Sequence, residues 1–90
     1  MNISWDPFKA RRNLAKHGIA FEDAEVALAD PLALTREDPD AVGEQRFVTV
    51  GVDAVGQVIA VVFAYGATEI RLISARRATR SEVDAYAKGI

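Results

Sequence analysis

Apolar positions divide the chain into short segments, and the residues between them supply both the breaks and the caps. Asn2–Trp5 reads as a short strand. Asp6-Pro7 follows, with aspartate suited to accept free amide hydrogens at a helix N-cap and proline suited to the first helical position. The helix it predicts runs to about His17 and stops at Gly18, which can adopt the left-handed C′ conformation, with Ile19 as its apolar closure. Phe21, Ala24 and Leu28 recur at helical spacing, predicting a second helix over Phe21–Ala29, ended by Asp30-Pro31. Leu32–Thr35 reads as a strand, and the acidic loop Glu37–Glu44 follows it. Gln45–Asp53, Val58–Tyr65 and Glu69–Ala75 then read as three successive strands. The short turns Ala54–Gln57 and Gly66–Thr68 between them imply antiparallel pairing. Thr79-Arg80-Ser81-Glu82 has the form of a capping box and opens a last helix through about Lys88. The order βααββββα predicts an α+β domain, an antiparallel sheet with the helices packed on one face.

Two patterns within the strands bear on function. VIAVVFAY (Val58–Tyr65) is apolar on both sides, whereas a strand with one wet face alternates. If three short helices cover one face, a partner protein or a second copy of the chain is the natural cover for the other. A central strand wrapped by the terminal helix would give the same pattern. In the next strand, simple alternation points Arg71, Ile73, Ala75 and Arg77 one way, and Ile70, Leu72, Ser74 and Arg76 the other.

Length and composition narrow the class. Ninety residues, half apolar and 27% charged, make one globular domain spanning residues 1–90. No cysteine and one histidine exclude disulfides and thiolate metal sites and argue against structural zinc. No cofactor is expected. The N-terminus lacks an apolar signal core and no apolar run approaches a membrane span, which points to the cytoplasm and away from a membrane partner.

A net charge of −2 argues against a nucleic-acid partner until its distribution is considered. Lys9, Arg11, Arg12 and Lys16 stand together without an acid, as do Arg71, Arg76, Arg77 and Arg80. Most of the acids fall between Glu22 and Glu44, a stretch with Arg36 as its one base. Such a division can present a basic working surface on an acidic protein, although solvated element faces would look alike.

Lys9, Arg12 and Lys16, at i, i+3 and i+7, share one helix face and could grip successive phosphates. His17 is the candidate for proton transfer near neutral pH, or else a cap for carbonyls at the helix C-terminus. Asn13, a poor helix former in mid-helix, is expected to bond to neighbouring backbone. Arg71, Arg76 and Arg77 are candidates to neutralise phosphate through bidentate contacts, with ion pairing to the acidic loop as the structural alternative. Arg80 and Tyr86 could extend an RNA-binding surface, the tyrosine by stacking or by donating to phosphate. A ribonuclease without metal needs a group to deprotonate the ribose 2′-hydroxyl and cations to stabilise the pentavalent phosphate. Lys16 and His17, with the three arginines, are the candidate catalytic set.

Trp5-Asp6-Pro7 followed by Lys9, Asn13, Lys16-His17-Gly18 and Phe21 resembles the N-terminal signature of the BrnT toxins. Asp30-Pro31, Gly43-Glu44 with Arg46, Gly51 and the run Ile70–Thr79 are similar to that family in order and spacing. The resemblance implies a RelE-like ribonuclease toxin of a type II toxin–antitoxin system, active without metal. It implies as partners a BrnA-like antitoxin that wraps the toxin and promoter DNA reached only through that antitoxin. RNA is the implied substrate, and a homodimer is the alternative use of the apolar surface. The competing function is a catalytically idle binding module that acts as co-repressor with a DNA-binding partner.

Overall fold

The computed structural model describes residues 2–89. In chain order the elements are β1 (Asn2–Ser4), α1 (Pro7–His17), α2 (Phe21–Leu28), β2 (Leu34–Glu37), β3 (Phe47–Val52), β4 (Val58–Tyr65), β5 (Glu69–Arg77) and α3 (Arg80–Lys88). The expected caps form. The Asp6 carboxylate accepts from the Phe8 amide at 2.9 Å, and Gly18, at φ 73°, donates its amide to Leu14 O. Thr79 and Glu82 bond reciprocally at the start of α3. β2 begins two residues later than the pattern predicts. Asp30 draws Pro31 and Leu32 into a turn, its carboxylate accepting from the Leu32 amide and its carbonyl from the Ala33 amide.

The sheet order is β1-β5-β4-β3-β2. Neighbours from β2 to β5 run antiparallel as expected, but β1 lies parallel to β5, so the sheet is mixed rather than antiparallel throughout. Most of the chain separates these two strands, so no tight turn dictates their relative direction.

The helices also divide between the faces, contrary to the expected single layer. α1 and α2 cover one side, where Ile19, Phe21, Ala24 and Ala27 pack on Ile59, Val61, Phe63, Leu72 and Ala75. α2 lies close to β3 because Gly51 leaves room: a Cβ there would stand 2.4 Å from Ala27 O. α3 covers part of the other side, with Tyr86 and Ala78 against Val48, Val50, Ala60, Val58 and Val62. The wrapped terminal helix therefore accounts for much of the two-sided apolar character of β4, and the second sheet face is not bare.

β5 departs from simple alternation. Val62 pairs with Ser74 while Phe63 pairs with Leu72, leaving Ile73 as the extra residue of a bulge. Such an insertion changes which face the following side chains take. Leu72 and Ala75 consequently share the α1–α2 core. Arg71 and Arg76 fall on the α3 side and Arg77 on the opposite one, which corrects the expected pairing of Arg71 with Arg77. Among the described residues no helix is long and apolar enough to cross a membrane.

Candidate functional site

β1 pairs with β5 only as far as Arg71, so the outer edge of β5 beyond that point lacks a strand partner. Asn13 takes the place of one. Its Nδ2 donates to Ala75 O at 2.9 Å and its Oδ1 accepts from the Ala75 amide at 3.0 Å. Nδ2 also donates to Ile19 O at 3.0 Å, tying α1 to the segment that leads into α2. A side-chain amide thus mimics a β-ladder residue and satisfies buried backbone groups that would otherwise be costly. The sequence expectation for Asn13 holds at Ile19; its contact with Ala75, 62 residues away, has no local signal.

This attachment leaves an open groove of about 550 Å³ between α1 and β5, lined by Lys9, Arg12, Asn13, Ala15, Lys16, His17, Ile73 and Ser74. The three cations are exposed and His17 is half-buried. No acidic side chain lines the groove. Among the described residues, no carboxylate lies within ion-pair distance of Lys9, Arg12 or Lys16. Their charge is available to a bound anion.

The arginines of the α3 side are differently placed. Arg76 makes two hydrogen bonds to Glu82, at 2.8 and 3.2 Å, and Arg36 approaches the same carboxylate at 3.4 Å. The Arg76 hydrogen bonds hold the Glu82 carboxyl down at about 2, and Glu82 in turn raises the guanidinium's pKa. Arg71 bonds to Glu44, with Arg46 Nε 3.8 Å from the same oxygen. Each glutamate therefore stands between two arginines. Arg77 and Arg80 are exposed, at the end of β5 and the start of α3. Tyr86 donates to Asp30 and packs from α3 onto the sheet; that bond lowers the Asp30 pKa and raises that of Tyr86.

Of the sequence candidates, the structure brings Lys9, Arg12, Lys16 and His17 together and places Arg71 and Arg76 on the far side of the sheet. Glu82 is visible in the sequence only as a cap and Asp30 only as a helix terminator. Asp30 also accepts from the Val52 amide at 3.0 Å, so it joins β3 and α3 to the end of α2. The capping box disclosed half of Glu82's work; no local signal marks Asp30 as a junction. Among the described residues no group of three His, Asp or Glu side chains is placed to hold a metal.

A mixed five-stranded sheet with helices on both faces and a cationic groove at its open edge defines a small α+β domain. The fold is similar to the 1.1 Å crystal structure of the Brucella abortus ribonuclease toxin BrnT, with 31% identity over 89% of this chain and 99% of that one and a TM-score of 0.64. The model for the family "Ribonuclease toxin, BrnT, of type II toxin-antitoxin system" matches residues 5–82. The chain belongs to this BrnT family of ribonuclease toxins. A search of curated proteins gave no significant match.

Proposed function

We propose that the chain cleaves RNA in the α1–β5 groove without a metal and is silenced by a cognate antitoxin. The carrying observation is that Lys9, Arg12, Lys16 and the half-buried His17 share one groove with no acid in its lining. In this reading Lys9 and Arg12 hold the RNA backbone and Lys16 stands against the scissile phosphate. His17 takes the proton from the 2′-hydroxyl, and the freed O2′ attacks phosphorus. The bond to the 5′-oxygen breaks, that oxygen takes up a proton from solvent water, and a 2′,3′-cyclic phosphate end is left. Cations held around a phosphate stabilise the negative charge that builds up in the transition state.

Arg77 supports the same site. It follows Ala75 by two residues, about 7 Å along the strand, and turns toward the α1–α2 side. Arg71 and Arg76 are assigned to ion pairs, and Arg80 to the rim of α3. Kinship with the RelE-like ribonucleases, a cytoplasmic setting, a BrnA-like antitoxin and promoter DNA bound only through it complete this reading. Self-association into a homodimer would use the part of the second sheet face that α3 leaves uncovered. The test is purified protein with RNA in excess chelator, followed by mapping of the product ends. Cleavage leaving cyclic phosphate supports the proposal; loss of cleavage restored by a divalent ion contradicts it.

A further inference from the structure

Phe8 is 65% exposed on the first turn of α1, a placement the core does not explain. It lies one helical turn before Arg12, which lines the groove, so the two side chains are neighbours on one face of the helix. The Arg11 guanidinium sits over its ring, 5.2 Å from the centroid, occupying one face and steadying the ring's orientation. The backbone beneath is held as well, since the Phe8 amide donates to the Asp6 cap and Pro7 restrains the turn.

We infer that Phe8, backed by Arg11, is a stacking platform for one unpaired RNA base whose backbone continues past Arg12 toward Lys16; this rests on the groove being the RNA site. Proteins that grip single strands pair a cationic track for the phosphates with an aromatic face for the bases. Here both features stand on one rigid helix. Arg12 and Lys16 follow Phe8 at successive four-residue steps of about 6 Å along the axis. The platform gives the toxin a preference for single-stranded RNA over duplex, whose bases are already stacked on one another. It fixes the position of one base upstream or downstream of the cut without reading its identity.

The experiment measures binding of the full chain to two probes, a 2′-O-methyl octauridylate that cannot be cleaved and an abasic backbone of equal length. Phe8→Ala should weaken octauridylate binding about 10-fold or more, in line with the loss of one base–aromatic stack. It should leave the abasic affinity and the salt dependence unchanged, and Phe8→Trp should restore the lost binding. Arg12→Ala should weaken both probes and lower the salt slope. If Phe8→Ala binds both probes like the parent while Arg12→Ala weakens both, the groove reading stands and the platform is wrong. An equal loss on both probes likewise overturns it. If neither variant alters RNA binding, the groove reading falls first.

Discussion

Replacing Asn13 with alanine removes three hydrogen bonds at once, and the structure sets the scale of the loss. The truncation leaves the Ala75 amide, the Ala75 carbonyl and the Ile19 carbonyl without partners, on two residues that are 0% and 5% exposed. A buried polar group deprived of its partner costs about 1–3 kcal/mol. Water entering along the groove can reach the carbonyls more readily than a sealed core, so the lower part of that range applies and the sum is about 3–5 kcal/mol. A 90-residue domain holds roughly 5–13 kcal/mol in total. The variant should therefore unfold at a much lower urea concentration, with a melting temperature lowered by at least roughly 12 °C. Asn13→Asp separates hydrogen bonding from volume. It is nearly isosteric, but it loses both donated bonds and turns a carboxylate toward two carbonyl oxygens. It should be at least as destabilised as the alanine variant. A loss below about 1 kcal/mol in Asn13→Ala, or near-parental stability in Asn13→Asp, would refute the assignment of Asn13 as the clasp between α1 and β5.

Three other outcomes follow from the same geometry. Gly51→Ala, whose Cβ would stand 2.4 Å from Ala27 O, should force α2 away from β3 and cost about 1–3 kcal/mol by urea titration. Glu82 has its folded pKa depressed from 4.5 to about 2, so its ion pair stabilises the fold above about pH 4.5 and is lost as the pH falls toward 2. Glu82→Gln should lower stability at neutral pH and flatten that acid limb, read from melting temperatures across the range. Lys16→Ala should weaken RNA binding and reduce the slope of log affinity against log salt by about one unit, measured with a non-cleavable oligonucleotide.

The sequence was most legible where the signals are local. Asp6-Pro7, Gly18 and the Thr79–Glu82 box act within a few residues, and the caps they predict are the ones formed. The stripe of Lys9, Arg12 and Lys16 was legible for the same reason, because helical spacing alone puts the three on one face. What failed depends on contacts made between distant segments. The bulge at Ile73 reverses alternation halfway along β5, and nothing in Ile70–Arg77 announces it. β1 runs parallel to a strand near the other end of the chain, and its own three residues carry no sign of that direction. The charge blocks were visible, but which arginines are neutralised was not. Glu82 follows its partners Arg76 and Arg36 by 6 and 46 residues, and Glu44 lies 27 from Arg71. That distinction between neutralised and available cations is what separates the far side of the sheet from the groove.

The central claim is that cleavage takes place on α1 beside β5 and not among the arginines facing α3. Single-turnover cleavage of one RNA in excess chelator, comparing the parent with His17→Ala and Arg71→Ala, tests it directly. Each variant would first be shown to be folded by circular dichroism. Loss of a general base should slow His17→Ala by about 10²–10⁴-fold, while Arg71→Ala, which removes only an exposed ion pair with Glu44, should stay near the parental rate. A near-parental rate for His17→Ala together with abolished cleavage in Arg71→Ala would contradict the account and move the active site to the other face of the sheet.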